Sequence, residues 1–202
     1  MSGQTPGTES APDWLIAEMP PGYQNRVVEI ERLSKELRSL DRLGRLLWRA
    51  GDELTEAVRD AFVALGFETD GTSASTGPSV TVRLDAHRRL LLHVSATNSI
   101  IQKRSTELAR VFELLHTVAE NADRVVLVAN GDPRVRPADR PESIEPEALN
   151  LLHRLGANVL TGPTLFALWT LSLQDKGRAR AYVDQLHQLD GGSLQLPTVG
   201  AR

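Results

Sequence analysis

The chain has 202 residues, 41% of them hydrophobic and 24% charged, the balance of a globular protein long enough to bury a sizeable core. It contains no cysteine, which excludes disulfides, thiolate metal sites, iron–sulfur clusters and thiol nucleophiles. A net charge of −3 argues against a surface given over to gripping phosphate, because such domains are as a rule basic, but it leaves room for a local basic groove.

Residues 1–22 are rich in Gly, Ser, Thr and Pro and are expected to form a flexible tail. They show neither the basic leader nor the apolar run of a signal peptide. The longest apolar stretch, PTLFALWTLSL, is too short to span a bilayer. The expectation is a cytoplasmic protein with no membrane insertion.

A helical segment is expected over residues 23–50. Ile30, Leu33, Leu37, Leu40, Gly44 and Leu47 recur at alternating steps of three and four, with charges between them. This pattern suits either a helix lying along its own domain or one half of a two-helix seam. The seam is the reading adopted: a short coiled coil joining a homodimer through Ile30, Leu33, Leu37, Leu40 and Leu47. Gly51 should break this helix and Asp52 cap the next. Leu54, Val58, Phe62 and Leu65 then share one apolar face, and Gly66 should end it.

The α/β domain is expected to occupy residues 51–202. FET begins a strand, and strands over 80–84 and 88–96 form a hairpin about a turn at 85–87. The segment TNSIIQKRSTELARVFELLHTVAENA reads as an amphipathic helix with Leu108, Val111, Leu115 and Val118 inward. A continuous apolar run over 124–130 reads as a buried strand, followed by a proline-punctuated loop and the helix EPEALNLLHRLG. ANVLTG is a second buried strand, PTLFALWTLSL and KGRARAYVDQLHQL are two more helices, and GGSLQLP is a short closing strand. The order α-β-β-β-α-β-α-β-α-α specifies a mixed sheet flanked by helices.

Several chemistries can be weighed from these residues. His93 and Ser95 share a strand face, and with Asp85 they assemble a Ser-His-Asp set on paper. Side chains two apart on a strand stand about 7 Å apart, beyond the hydrogen bond of about 3 Å that a nucleophile and its base require. The five histidines have no H-x-x-x-H or H-E-x-x-H spacing, so no zinc site is expected. ANGDP is a strand-end turn rather than a phosphate loop, though Asn130 and Thr161 lie at strand ends of the kind that bind nucleotides or phosphate in open sheets. Lys103 and Arg104, with Arg134, Arg136 and Arg140, are positioned to meet a nucleic-acid backbone. The alternative for these basic residues is solvated charge, or pairing with the interleaved Asp132, Asp139 and Glu142.

Four phrases, GDELTEAVRDAFVALGF, VTVRLDAHRRLLLHVSA, VVLVANGDPRVRPADRP and ALNLLHRLGANVLTGPTLFAL, resemble in this order the restriction-endonuclease-like superfamily, the PD-(D/E)XK nucleases. The likeness runs from about Leu46 to Pro197, and the last two phrases are similar to a bacterial subset. It implies an αβββαβ core. It also implies magnesium held by a carboxylate on the first hairpin strand and by the acid of an acid-x-lysine on the second, often joined by a helix glutamate. On this sequence the acid-x-lysine falls on His93, Val94 and Ser95, and the upstream acid near Ser79 or Val80. The helix glutamate falls on Thr55, with Glu56 turned about 100° away around the helix.

Every catalytic position is thus substituted. The resemblance then implies a pseudo-nuclease without cofactor or metal, acting as a binding, regulatory or assembly subunit with an unidentified protein partner. Two alternatives stand beside it. One is a magnesium-dependent DNA nuclease of repair or defence with a displaced site drawn from Asp85, Glu56, Glu107 and Lys103. The other is a nucleic-acid-binding module without cleavage, using Lys103, Arg104, Arg134, Arg136 and Arg140.

Overall fold

A computed structural model describes residues 18–71, 77–97 and 99–196. The chain divides into two compact units, Met1–Leu40 and Asp41–Arg202. The first contains most of α1 (Tyr23–Gly44), on which Ile30, Leu33, Leu37 and Leu40 are all exposed. Arg32 bridges Glu29 and Glu36 along the helix, pairs of the kind that support an exposed helix by a few tenths of a kcal/mol each, roughly.

In the second unit a six-stranded sheet runs in sequence order. β1 (Glu68–Asp70), β2 (Val80–Arg83) and β3 (Arg89–Thr97) are antiparallel neighbours. β4 (Arg124–Gly131), β5 (Asn158–Thr161) and β6 (Gly192–Ser193) continue from β3 in parallel. Parallel pairing requires crossovers, which α3 (Thr106–Thr117), α4 (Pro146–Arg154) and the pair α5 (Gly162–Ser172) and α6 (Lys176–Gln188) supply. This is the mixed, helix-flanked sheet expected from the element order.

Strand alternation sorts the core into two layers. Val80, Val82, Leu90, Leu92, Val126, Val128 and Leu160 face α2 (Gly51–Ala64), α5 and α6. Leu91, Val125, Leu127, Ala129 and Val159 face α3 and α4. Leu54, Val58, Phe62 and Leu65 are fully buried on α2, as their spacing requires. Gly66 ends that helix with φ +90, its N–H reaching the Val63 carbonyl while the Phe67 N–H reaches Phe62. That is the Schellman pattern, and Phe67 packs edge-on against Phe62 across it.

Four sequence expectations are corrected. α1 ends at Gly44, and Leu47 lies in a 3-10 turn (Arg45–Leu47), so it is off the helical seam. The residues that anchor this turn in the core are Leu43 and Leu46. α2 starts at Gly51, in a positive-φ conformation, with no side-chain cap; Asp52 sits inside its first turn. The helix after the hairpin is shorter than its hydrophobic pattern suggested, because β3 extends to Thr97 and Ile101 bridges to Ile144. Leu108, Val111 and Leu114 therefore form its buried face, while Val118 lies beyond the helix and is exposed. β4 also extends one residue further than expected, to Gly131.

Asn158 fixes the far edge of the sheet. It is fully buried, donates to the Leu186 and Leu189 carbonyls at 2.7 and 3.2 Å, and accepts from the Gly191 N–H at 3.1 Å. It thereby ties the end of α6 to β5 and to the turn that feeds β6. Asn158→Ala leaves these backbone groups without partners and is expected to cost about 3 kcal/mol, measured by urea unfolding.

Candidate functional site

The sheet separates the positions that the nuclease resemblance groups together. On β3, His93 and Ser95 point toward α3, where the Ser95 hydroxyl donates to a Glu107 carboxylate oxygen at 3.3 Å. Arg110, one helical turn beyond Glu107, donates to the Gly77 carbonyl at 2.9 Å and pairs with Glu113. Ser79, opposite this end of β3, accepts a hydrogen bond from the Val94 N–H at 3.1 Å. Val80 lies on the other face, fully buried and in register with Leu92. Thr55 belongs to α2 on that same opposite side, its hydroxyl turned back onto the Gly51 carbonyl at 3.2 Å. Thr55, Ser79, Val80, His93 and Ser95 therefore do not make one cluster, since alternation along β2 and β3 assigns them to two layers.

The displaced candidates are dispersed as well. The Asp85 carboxylate closes the hairpin turn, accepting from the His87 and Arg88 N–H groups at 2.9 and 2.8 Å and pairing with the Arg88 guanidinium. These bonds hold its pKa well below the carboxylate range, led by the His87 N–H. Along β3 the turn stands about 20 Å from Ser95, so Asp85 cannot join Glu107. Glu56 is exposed on α2, in a small pocket of about 210 Å³ with Arg42, Arg45, Arg59 and Asp60. Lys103 is exposed in the turn before α3. Among the described residues no three His, Asp or Glu side chains converge in a way that holds a metal. Glu107 has the hydroxyls of Ser95 and Thr106 as hydrogen-bond partners, and among the described residues no second carboxylate joins it to complete the set of hard oxygens that holds magnesium.

The basic groups resolve into two kinds. Lys103, Arg104, Arg134 and Arg136 are exposed, and among the described residues none of them makes an ion pair. Of the two alternatives to nucleic-acid contact, Arg134 and Arg136 show solvated charge rather than pairing with Asp132, Asp139 and Glu142. Arg140 corrects the opposite expectation. Its guanidinium is turned inward, donating to the Val135 carbonyl and to Asn130 Oδ1, both at 2.8 Å, and to the Leu47 carbonyl. Burial draws its pKa down, and it is not free to meet a phosphate.

Asn130, fully buried, passes the connection on by donating to the Arg49 carbonyl at 3.2 Å. Thr161 caps α5 through the Thr164 N–H. Both strand-end side chains are thus occupied, and neither is open to a nucleotide.

Sequence reasoning missed Trp48 and Arg49, which this network places beside an open cleft of about 700 Å³ with Ala50, Glu53, Pro133 and Arg134. The available signal was that Trp48 falls outside the apolar stripe, immediately before the Gly51 break. It also missed Arg110, three residues from Glu107 on α3.

Burial lowers the His93 pKa, reinforced by Arg110 and opposed by Glu107. Burial resists ionisation of Glu107, but its own N–H and the hydroxyls of Ser95 and Thr106 help outweigh it and hold the carboxyl below its usual value. Both shifts run the same way, downward, the histidine by burial and the carboxyl by its hydrogen bonds. A lowered histidine pKa means that the unfolded chain takes up the proton first. The His93 contribution to stability is complete above the ordinary value of 6.5 and falls away as pH drops toward the folded value. The urea midpoint is expected to fall as pH drops below the ordinary histidine value of 6.5, and His93→Gln to flatten that fall.

No family model and no curated protein sequence matches the chain. Two solved structures do. Restriction endonuclease FokI superimposes with a TM-score of 0.54 at 9% identity, over 75% of this chain and 30% of that one. FokI bound to DNA superimposes with a TM-score of 0.50 at 10% identity, over 78% and 30%. The chain thus spans about a third of the length of the proteins it matches. At such identity the likeness concerns architecture, and together with the sheet order and its crossovers it shows that this chain has a restriction-endonuclease-like fold.

Proposed function

We propose that this chain is a non-catalytic nuclease-like domain that works by binding and assembly. The observation that carries the reading is the composition of β3. Between His93 and Ala96 neither face of the strand offers a carboxylate or a lysine, and Glu107, the acid nearest Ser95, is held by hydroxyls and bordered by Arg110. In this reading the domain needs no divalent metal. Incubated with plasmid or single-stranded DNA and magnesium or manganese, the protein is expected to leave both intact. Cleavage abolished by Glu107→Gln and Lys103→Ala would overturn this.

Assembly is assigned to α1. Ile30, Leu33, Leu37 and Leu40 are 62%, 49%, 59% and 47% exposed, a continuous apolar stripe that a second copy of the helix would cover at spacing suited to a short seam. Leu47 has no part in it. The protein is expected to sediment as a dimer and Leu37→Asp as a monomer; a monomeric wild type would refute the seam.

A second reading, nucleic-acid binding without cleavage, is favoured by one specific observation: Lys103, Arg104, Arg134 and Arg136 are exposed and unpaired among the described residues. FokI, which shares the fold, has been solved bound to DNA. Retention of duplex DNA in a gel is expected to weaken steeply with salt and to be lost in the Lys103→Ala, Arg104→Ala double variant. Salt-independent retention would refute it.

A further inference from the structure

Trp48 is 52% exposed, whereas Trp169 is buried in the core. One side of its indole is covered by Arg49, whose guanidinium carbon lies 3.7 Å from the ring centroid. Glu53 holds that guanidinium at 3.0 Å. The backbone is fixed on both sides of the tryptophan, at the Leu47 carbonyl by Arg140 and at the Arg49 carbonyl by Asn130. A large aromatic ring is thus ordered before any ligand arrives, which lowers the entropy cost of binding.

The cleft that the ring borders has the volume of a small-molecule site, and its far wall is Pro133 and Arg134. Asp132, at φ 40, makes the turn that presents them. Arg134 has no carboxylate partner among the described residues, and Glu53 is already engaged by Arg49, so the cleft carries an excess of positive charge. Arg136 is exposed in the same loop.

An aromatic platform beside an unpaired arginine is the chemistry that recognises a base together with its phosphate. We propose that this cleft binds a nucleotide unit, its base stacked on the free side of Trp48 and its phosphate on Arg134. The inference rests on the nucleic-acid reading above and narrows it from a duplex backbone to an unstacked base. A single-stranded nucleic acid and a free nucleotide offer the same chemistry, and the test separates them.

The full-length protein is titrated with oligothymidylate, adenosine monophosphate and duplex DNA while tryptophan emission is followed. Oligothymidylate is expected to quench the emission. With Trp14, the third tryptophan, replaced in a Trp14→Phe background, Trp48→Leu should abolish the quenching and weaken oligothymidylate binding about tenfold or more, while emission from buried Trp169 reports an intact fold. Arg134→Ala should weaken binding and reduce the salt slope by about 1. Quenching by adenosine monophosphate as well assigns the site to free nucleotides; quenching by oligothymidylate alone assigns it to a strand. Absence of quenching by both, or unchanged oligothymidylate affinity in Trp48→Leu, overturns the proposal. Duplex binding that survives Trp48→Leu leaves the broader reading standing when the proposal fails. Quenching at Trp48 without any duplex binding does the reverse.

Discussion

The guanidinium of Arg140 joins three pieces of chain that the sequence keeps far apart. It takes the Val135 carbonyl of its own loop, the side chain of Asn130 at the end of β4, and the Leu47 carbonyl of the 3-10 turn before α2. Asn130 extends the link to the Arg49 carbonyl. Gly162 completes the arrangement by having no side chain: a Cβ there would stand 2.5 Å from the Leu46 carbonyl and 2.9 Å from Asn130 Oδ1. A partly buried cation costs desolvation energy unless its donors are satisfied, and here three carbonyl-type acceptors satisfy it. The carboxyl end of the parallel strands is consequently closed by protein groups. The open ground is displaced outward, to Trp48 and Arg134.

The same closure bears on what the fold does. Open α/β sheets bind ligands at the carboxyl ends of their strands, and Asn130 and Thr161 stand at such ends. Both are spent on structure, one in the Arg140 network and the other capping α5. The hairpin is likewise committed to packing. Val80, Leu90 and Leu92 are fully buried on one side of it, and on the other Ser95 donates to the Glu107 carboxylate. The shared architecture comes here with hairpin side chains engaged in packing and in one serine–glutamate hydrogen bond. Fold and chemistry separate readily in this way, because backbone topology depends on the hydrophobic pattern while a reaction depends on a few polar atoms.

Much of the architecture was legible along the chain. The continuous apolar run of β4, the 3.6-residue face of α2 and the glycine that ends it each report local periodicity or a conformation only glycine takes easily. The candidate site was far less legible. Whether Ser79 or Val80 lies on the His93 side depends on which layer each side chain enters, and a single step along a strand reverses that. Arg134 and Arg140 look alike in sequence, six residues apart in one loop, yet one is exposed and the other is internal. Trp48 gave only a faint signal, as an aromatic residue out of phase with its helix.

By itself the sequence determined the order of elements, the two apolar faces of the sheet, the absence of thiol chemistry and the absence of a carboxylate or lysine between His93 and Ala96. These follow from residue identity and local spacing, which do not depend on how distant segments meet. Tertiary structure decided which arginine became a structural tie and which stayed unpaired. It also decided where α1 ends and which tryptophan borders a cleft. Those outcomes hinge on carbonyls at Leu47 and Arg49 reaching side chains at Arg140 and Asn130, contacts across some 80 to 90 residues that only the folded backbone brings within hydrogen-bonding distance.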